Sequence, residues 1–251
     1  MLEELQRPLP PALANNDALF LDVDGTLVAF ADHPDKVMPA DDLPHLLSVL
    51  ALQLNGALAL VSGRSVAQLD TLFAPLRLPA AGLHGAQLRR RGTDETPQAD
   101  TAGWLHELHR QAEKIAHQHP GMLLENKGQA LALHWRNAPD AAAAIHAFAH
   151  AQLPRLPGVR LQPGNHVVEF INADHDKGQA LLALMASAPF AGRRPVFVGD
   201  DLTDEHGFAV AEQLHGHGVL VGTRANSHAR YALPDVAAVH AWLRTAMPHP
   251  T

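Results

Sequence analysis

Short apolar runs alternate with amphipathic stretches in the first third of the chain and again in the last third. Leu19-Phe20-Leu21, in a strand over about 18–23, and Ala57-Leu58-Ala59-Leu60-Val61 are apolar at successive positions, the pattern of strands buried on both faces. Between them, Leu43, Leu46, Leu47, Leu50 and Leu54 fall on one stripe. That spacing predicts a helix capped by Asp41 or Asp42, running to about Asn55 and ended by Gly56. A second helix is expected over about 65–74, with Val66, Leu69 and Phe73 inward. The same texture returns late in the chain: a helix from Lys177 to Ser187, a strand at Val196-Phe197-Val198, a helix after Asp201, a strand from Gly218 to Val221 and a helix near 235–246. Apolar strands alternating with amphipathic helices predict an α/β fold around a parallel sheet.

The middle third reads differently. Arg89-Arg90-Arg91-Gly92 and the polar stretch from Thr93 to Thr101 mark a boundary. Beyond it come a helix at about 102–118, one or two strands over 122–136, an Ala-rich helix at 139–152 and strands at about 159–162 and 166–171. Strands that look antiparallel, with helices lying on them, predict a small α+β lid inserted into the larger domain. The boundaries are thus 1–90 and 172–251 for the two parts of the core and 91–171 for the insert.

Composition removes several classes of function. The net charge is −7 with no long basic run, which disfavours nucleic acid as the main partner. Cys is absent, so disulfides, thiolate metal sites and Cys nucleophiles are excluded, and a reducing cytoplasm is the expected location. Met1 to Ala14 carries Glu3, Glu4 and three prolines and is not read as a signal peptide; no run approaches the length of a membrane span. Among the 18 histidines none sits in an H-E-x-x-H pattern, and His106, His109, His117 and His119 read as a solvated helix face.

Four stretches carry candidate chemistry. In Asp22-Val23-Asp24-Gly25-Thr26, the first strand runs into a turn that follows two carboxylates. Residues two apart on a strand share a face, so Asp22 and Asp24 can point into one cavity. Their repulsion calls for a cation or for a proton on one of them, although Asp and Gly are also ordinary turn residues. Hard oxygen ligands without Cys suit Mg²⁺ better than zinc, and a carboxylate beside Mg²⁺ can act as a nucleophile. Ser62, where the second strand ends, offers a hydroxyl and an N–H to a phosphoryl oxygen, or else caps the next helix. Lys177 opens a helix and is either a solvated charge or a neutraliser of phosphate. Asp200, Asp201, Asp204 and Glu205, four acids in six residues after a buried strand, are costly to gather unless they hold a cation or stay solvated.

Together these stretches resemble, in order, the signatures of the haloacid-dehalogenase-like phosphohydrolases. Within them the chain is similar to trehalose-6-phosphate phosphatases, through Gly82-Leu83-His84-Gly85-Ala86, Leu124-Glu125-Asn126-Lys127-Gly128, Ala130 to Arg136, Gln162-Pro163-Gly164 through Glu169, and the acidic cluster. The resemblance spans essentially the whole chain. It implies a Rossmann-like core with a mobile α+β cap between the second and third signatures. It implies Asp22 as nucleophile and Asp24 as acid/base, with Thr26, Ser62 and Lys177 on the phosphoryl oxygens. Substrate binding extends to Gly63, Arg64, His84 and Gly85. The resemblance also implies Mg²⁺ held by Asp22, the Asp24 carbonyl and Asp200, with Asp201 and Asp204 orienting the metal's waters and Lys177. Glu125, Lys127 and Glu169 match positions that touch the sugar in that family, though each is also an ordinary charge for an exposed strand. Two departures stand out: Gln87 where family members often have Glu, and Asn165 where they often have Lys.

The expected reaction is hydrolysis of trehalose 6-phosphate through an aspartyl phosphate. The alternatives are another sugar phosphate (sucrose phosphate, mannosyl-phosphoglycerate or a hexose phosphate) or a catalytically silent sugar-phosphate-binding protein. A monomer acting on a small molecule, with no nucleic-acid or membrane partner, is expected.

Overall fold

The computed structural model describes residues 7–29, 38–93, 103–164 and 166–247. Most of the loop expected over 28–40, the cap departure at Asn165 and the first six residues of the lead-in lie outside the described residues. The chain forms two compact units, one of Met1–Thr96 with Asp176–Thr251, the other of Pro97–His175.

In chain order, the larger unit begins with β1 (Asp17–Leu21), α1 (Leu43–Gln53), β2 (Leu58–Val61), α2 (Val66–Leu72), β3 (Ala80–Gly82) and β4 (Gln87–Arg89). The smaller unit follows with α3 (Gly103–Gln118), β5 (Leu123–Asn126), β6 (Leu131–His134), α4 (Ala142–Gln152), β7 (Val159–Gly164) and β8 (Val167–Asn172). The larger unit then resumes with α5 (Lys177–Met185), β9 (Arg194–Gly199), α6 (Asp204–Gln213), β10 (His217–Val221), β11 (Tyr231–Leu233) and α7 (Val236–Thr245).

The larger unit's sheet has the order β11-β10-β9-β1-β2-β3-β4. It is parallel except at one edge, where β4 runs antiparallel to β3. That edge strand and β11 were not expected; at three residues each they leave no hydrophobic periodicity to read. β1 and β2 are buried at every position, as the uninterrupted apolar runs require. Leu43, Leu46, Leu47 and Leu50 form the buried stripe of α1. One helix start differs from expectation. Asp42 occupies the N-cap position of α1 but makes no side-chain capping bond; its carboxylate accepts from Arg244 Nη2 at 2.6 Å.

The smaller unit is a four-stranded antiparallel sheet in the order β5-β6-β8-β7. Leu131, Leu133, Val168 and Phe170 share one apolar cluster with Leu105 and Leu108 of α3 and Ile145 of α4. His106 and His117 are exposed on α3, and His119 lies just past its end.

Candidate active site

Three neighbouring strands, β9, β1 and β2, run parallel and end on the same edge of the sheet. The topology reverses direction there, since β2 and β3 lie on one side of β1 and β9, β10 and β11 on the other. Open α/β sheets bind ligands at such a carboxyl edge. Asp22 is the first residue past β1, and its N–H donates to Val198 O at 2.9 Å. Ser62 is the first past β2 and donates to Ala81 O at 2.9 Å. Asp200 is the first past β9. Backbone bonds to the next strand therefore fix Asp22 and Ser62 where each leaves the sheet.

Asp22, Asp200 and Asp204 can each place a carboxylate oxygen within 4.8 Å of the others. Lys177 Nζ donates to Asp22 Oδ1 at 2.7 Å and to Asp204 Oδ1 at 2.6 Å. Lys177 and Asp22 are only 3 % and 4 % exposed, and Asp204 is fully buried. Burial works against the Lys177 ammonium, but Asp204 and Asp22 outweigh it and hold its pKa above the ordinary lysine value. Burial pushes the Asp200 carboxyl up to about 8, with repulsion from Asp22 and Asp204 adding to it. Asp204 is raised as well, by burial first, with Lys177 pulling the other way. With all three carboxylates ionised against one ammonium, the site would carry two excess negative charges in largely dry surroundings, and that repulsion adds to burial in raising Asp200 and Asp204. A divalent cation with a preference for oxygen supplies that missing charge, so the donor set fits one.

The turn after Asp22 completes the acidic edge. Gly25 has φ +87°, and a Cβ there would run into the Asp200 carboxylate. Thr26 Oγ1 donates to Asp200 Oδ1 at 3.2 Å. Asp24 is directed elsewhere: both its oxygens accept from Arg64, Nε at 2.7 Å and Nη2 at 2.6 Å. Asp201, which sequence placed around the cation, is exposed and accepts the N–H of Leu202 at 2.7 Å. Its own N–H donates to Asp204 Oδ2 at 2.8 Å, so Asp201 supports the site through its backbone.

Ser62 does not cap α2. Ser65 does, in a capping box with Gln68, while Ser62 Oγ accepts the N–H of Arg64 at 3.1 Å. The N–H groups of Leu83 and His84 donate back to Arg64 O and Ser62 O at 2.9 and 3.0 Å, locking Ser62-Gly63-Arg64 against Leu83-His84-Gly85. Leu83 and His84 both take positive φ to achieve this. Gln87, noted above for its departure from Glu, accepts the N–H of Val66 at 2.9 Å and so serves the start of α2. The S-x-x-Q spacing of Ser65 and Gln68 was the readable signal for that cap.

In the smaller unit, strand register aligns Glu125, Ala132, Glu169 and Gln162 in one row across all four strands. Lys127 Nζ donates to Glu169 Oε1 at 2.6 Å and lies 3.9 Å from Glu125 Oε2. His134 Nε2 is 3.1 Å from the same Glu125 oxygen. Glu169 is buried, so this is a built ionic cluster and not a set of loose strand charges. His134 belongs to this cluster and was not proposed as a site residue from sequence, whereas Gln162, in the same row, accepts from Arg160.

Comparison with known proteins gives a consistent picture. The family model described as trehalose-phosphatase matches residues 20–237. The chain is 42 % identical to the trehalose-6-phosphate phosphatase of Escherichia coli over 243 residues, covering 93 % of this chain and 87 % of that protein. It is 40 % identical to a probable trehalose-phosphate phosphatase of Sinorhizobium fredii, covering 83 % and 78 %. The C-terminal domain of a C. albicans trehalose-6-phosphate phosphatase has the same fold, with a TM-score of 0.79 at 21 % identity over 94 % of this chain and 97 % of that one.

Proposed function

The chain belongs to the trehalose-phosphatase family, and from that premise we propose that it hydrolyses trehalose 6-phosphate to trehalose and inorganic phosphate. The observation that carries this reading is the buried Asp22–Lys177–Asp204 arrangement with Asp200 beside it, at the carboxyl edge of the sheet. A carboxylate oxygen fixed by an ammonium, among acids that lack positive charge, suits attack on a phosphorus whose oxygens arrive with a cation. In this reading Asp22 bonds to phosphorus as the bond from phosphorus to the sugar oxygen breaks. Asp24 gives that oxygen a proton, then takes one from the water that attacks the aspartyl phosphate and regenerates Asp22. Arg64, which here holds both Asp24 oxygens, must release one of them for that proton transfer. Thr26, Ser62 and Lys177 hold the phosphoryl oxygens, with Gly63, Arg64, His84 and Gly85 lining the same edge.

A divalent cation, Mg²⁺ in this proposal, would be held by Asp22, Asp200 and the Asp24 carbonyl, with Asp204 beside it and Asp201 supporting Asp204 through its backbone N–H, and would supply charge against the incoming phosphate. Glu125, Lys127 and Glu169 are proposed to bind sugar hydroxyls. The domain limits 91–171 proposed for the cap compare with a smaller unit of Pro97–His175. Among the described residues no helix is long and apolar enough to cross a membrane. We place the protein in the cytoplasm as a monomer. Phosphate release across a panel of trehalose 6-phosphate, sucrose 6-phosphate, mannosyl-phosphoglycerate and glucose 6-phosphate tests the substrate. A clear preference in kcat/KM for trehalose 6-phosphate is expected; equal or better turnover of another member would reassign it.

A further inference from the structure

The turn that joins β9 to α6 presents Asp200 to the acidic site, and a single guanidinium outside the catalytic set holds its backbone. Arg224 Nη2 donates to Asp200 O at 2.6 Å and Nη1 to Asp201 O at 3.2 Å. Nη1 also donates to Glu205 Oε1 at 2.8 Å, and the other Glu205 oxygen accepts the N–H of His228 at 2.8 Å. Arg224 and Glu205 are 22 % and 15 % exposed, so the pair is mostly withdrawn from water. Arg224 lies in the segment after β10, and that segment has its own clamp. Arg7 donates from Nε to Ala229 O at 2.8 Å and from Nη1 to Arg224 O at 2.7 Å. Its Nη2 reaches Ala225 O at 3.2 Å and Ser227 O at 3.3 Å. The stretch that carries Arg7 is pinned in turn, by Ala232 N–H to Pro8 O at 3.1 Å and Trp242 Nε1 to Pro11 O at 2.9 Å.

Carbonyls in a turn have no ladder partner and must find another donor. Arg224 is that donor for Asp200, and at Asp201 it adds to the bond that the carbonyl already accepts from the Asp204 N–H at 3.1 Å. Asp200 is thereby fixed at two ends, its carbonyl by Arg224 and its carboxylate by Thr26 and the absent Cβ of Gly25. Glu205 pairs with the Arg224 charge, so the guanidinium acts on the site through geometry more than through its field. The planar fork matters: a lysine is a point donor and cannot serve two carbonyls and a carboxylate in the same arrangement.

We propose that Arg224 is a positioning residue for Asp200, holding the acidic turn in its cation-binding shape, and that Arg7 braces Arg224 by tying down residues 224–229. This rests on the reading above that Asp200 holds a divalent cation. The test is calorimetric titration of Mg²⁺ into wild type, Arg224→Ala, Arg224→Lys and Arg7→Ala, with Arg230→Ala as a control. Arg230 sits in the same region but pairs with Glu212 at the surface. Loss of a group that orients a metal ligand costs roughly 10- to 100-fold in metal affinity. Arg224→Ala is expected to weaken Mg²⁺ by about tenfold or more, Arg224→Lys by nearly as much, and Arg7→Ala by less, in the same direction. The control should not move. In turnover, the Mg²⁺ concentration for half-maximal rate should rise by the same factor, with the KM for sugar phosphate unchanged and kcat recovered at saturating Mg²⁺. Wild-type Mg²⁺ affinity in Arg224→Ala, even with a lowered Tm, would reduce the residue to a structural role and overturn the proposal. Should Arg224→Ala fail to fold, wild-type affinity in both Arg224→Lys and Arg7→Ala would overturn it equally. A wild type that gives no response to Mg²⁺ would instead refute the cation reading on which the proposal stands.

Discussion

At the scale of single residues, the site is a problem of unbalanced charge. Burial first, and then repulsion from Asp22 and Asp204, pushes the Asp200 carboxyl up to about 8. A cation needs that carboxylate bare, so proton and cation compete. Mg²⁺ affinity should therefore rise as pH goes from 6 to about 8 and level off above, by at most about tenfold per pH unit for one displaced proton. Calorimetry in buffers of different ionisation heat checks this; a flat affinity with no proton released would contradict it. Lys177 places a positive charge directly on Asp22. Lys177→Met should leave Asp22 and Asp204 repelling each other and cut turnover by 100-fold or more, about the effect of losing one electrostatic donor. A variant within fivefold of wild type would remove Lys177 from the chemistry. The acids and Lys177 were legible in sequence because each follows a strand or opens a helix, in one order. The Asp24–Arg64 pair was not, because it joins residues 40 positions apart through side chains that leave no local pattern.

At the scale of elements, turns and caps decide whether the strand ends deliver their residues. Gly25 needs a positive φ and gives up its Cβ to Asp200, so Gly25→Ala should cost the site twice, through backbone strain and through displacement of Asp200. Its Mg²⁺ affinity and kcat are expected to fall by more than tenfold, measured on protein shown to be folded by circular dichroism. Unchanged values would mean that the turn is not holding Asp200. Ser65→Ala removes a capping box remote from the phosphorus chemistry and should cost about 1 kcal/mol of stability, with kcat within twofold of wild type. Strands and helices with four or more residues were readable from period and apolar run. The short β4 and β11 were not, since three residues make less than two alternations. Ser62 invited a capping role that Ser65 performs, because four residues, 62–65, separate β2 from α2 and the last of them is the N-cap.

At the scale of the whole molecule, one chain carries two separate ionic clusters, proposed here to serve phosphorus and sugar respectively. The division into an α/β core and an α+β insert was legible from the change of texture near residue 90, because buried parallel strands and half-exposed antiparallel strands differ in composition. If Lys127 and Glu169 bind sugar hydroxyls, each charge-assisted hydrogen bond is worth about 1.5–3 kcal/mol. Lys127→Ala and Glu169→Ala should then lower kcat/KM for trehalose 6-phosphate by roughly ten- to a hundredfold and leave a small aryl phosphate within a few-fold. No change with either substrate would return these residues to ordinary strand charges. The central claim, that Asp22 is the nucleophile of a sugar-phosphate phosphatase, is tested most directly by Asp22→Asn. The amide fits the same space at the end of β1 but cannot attack phosphorus. With Mg²⁺ saturating and the variant's fold and freedom from deamidation verified, phosphate release from trehalose 6-phosphate is expected to fall to background. Turnover at more than a few per cent of wild type would contradict the assignment.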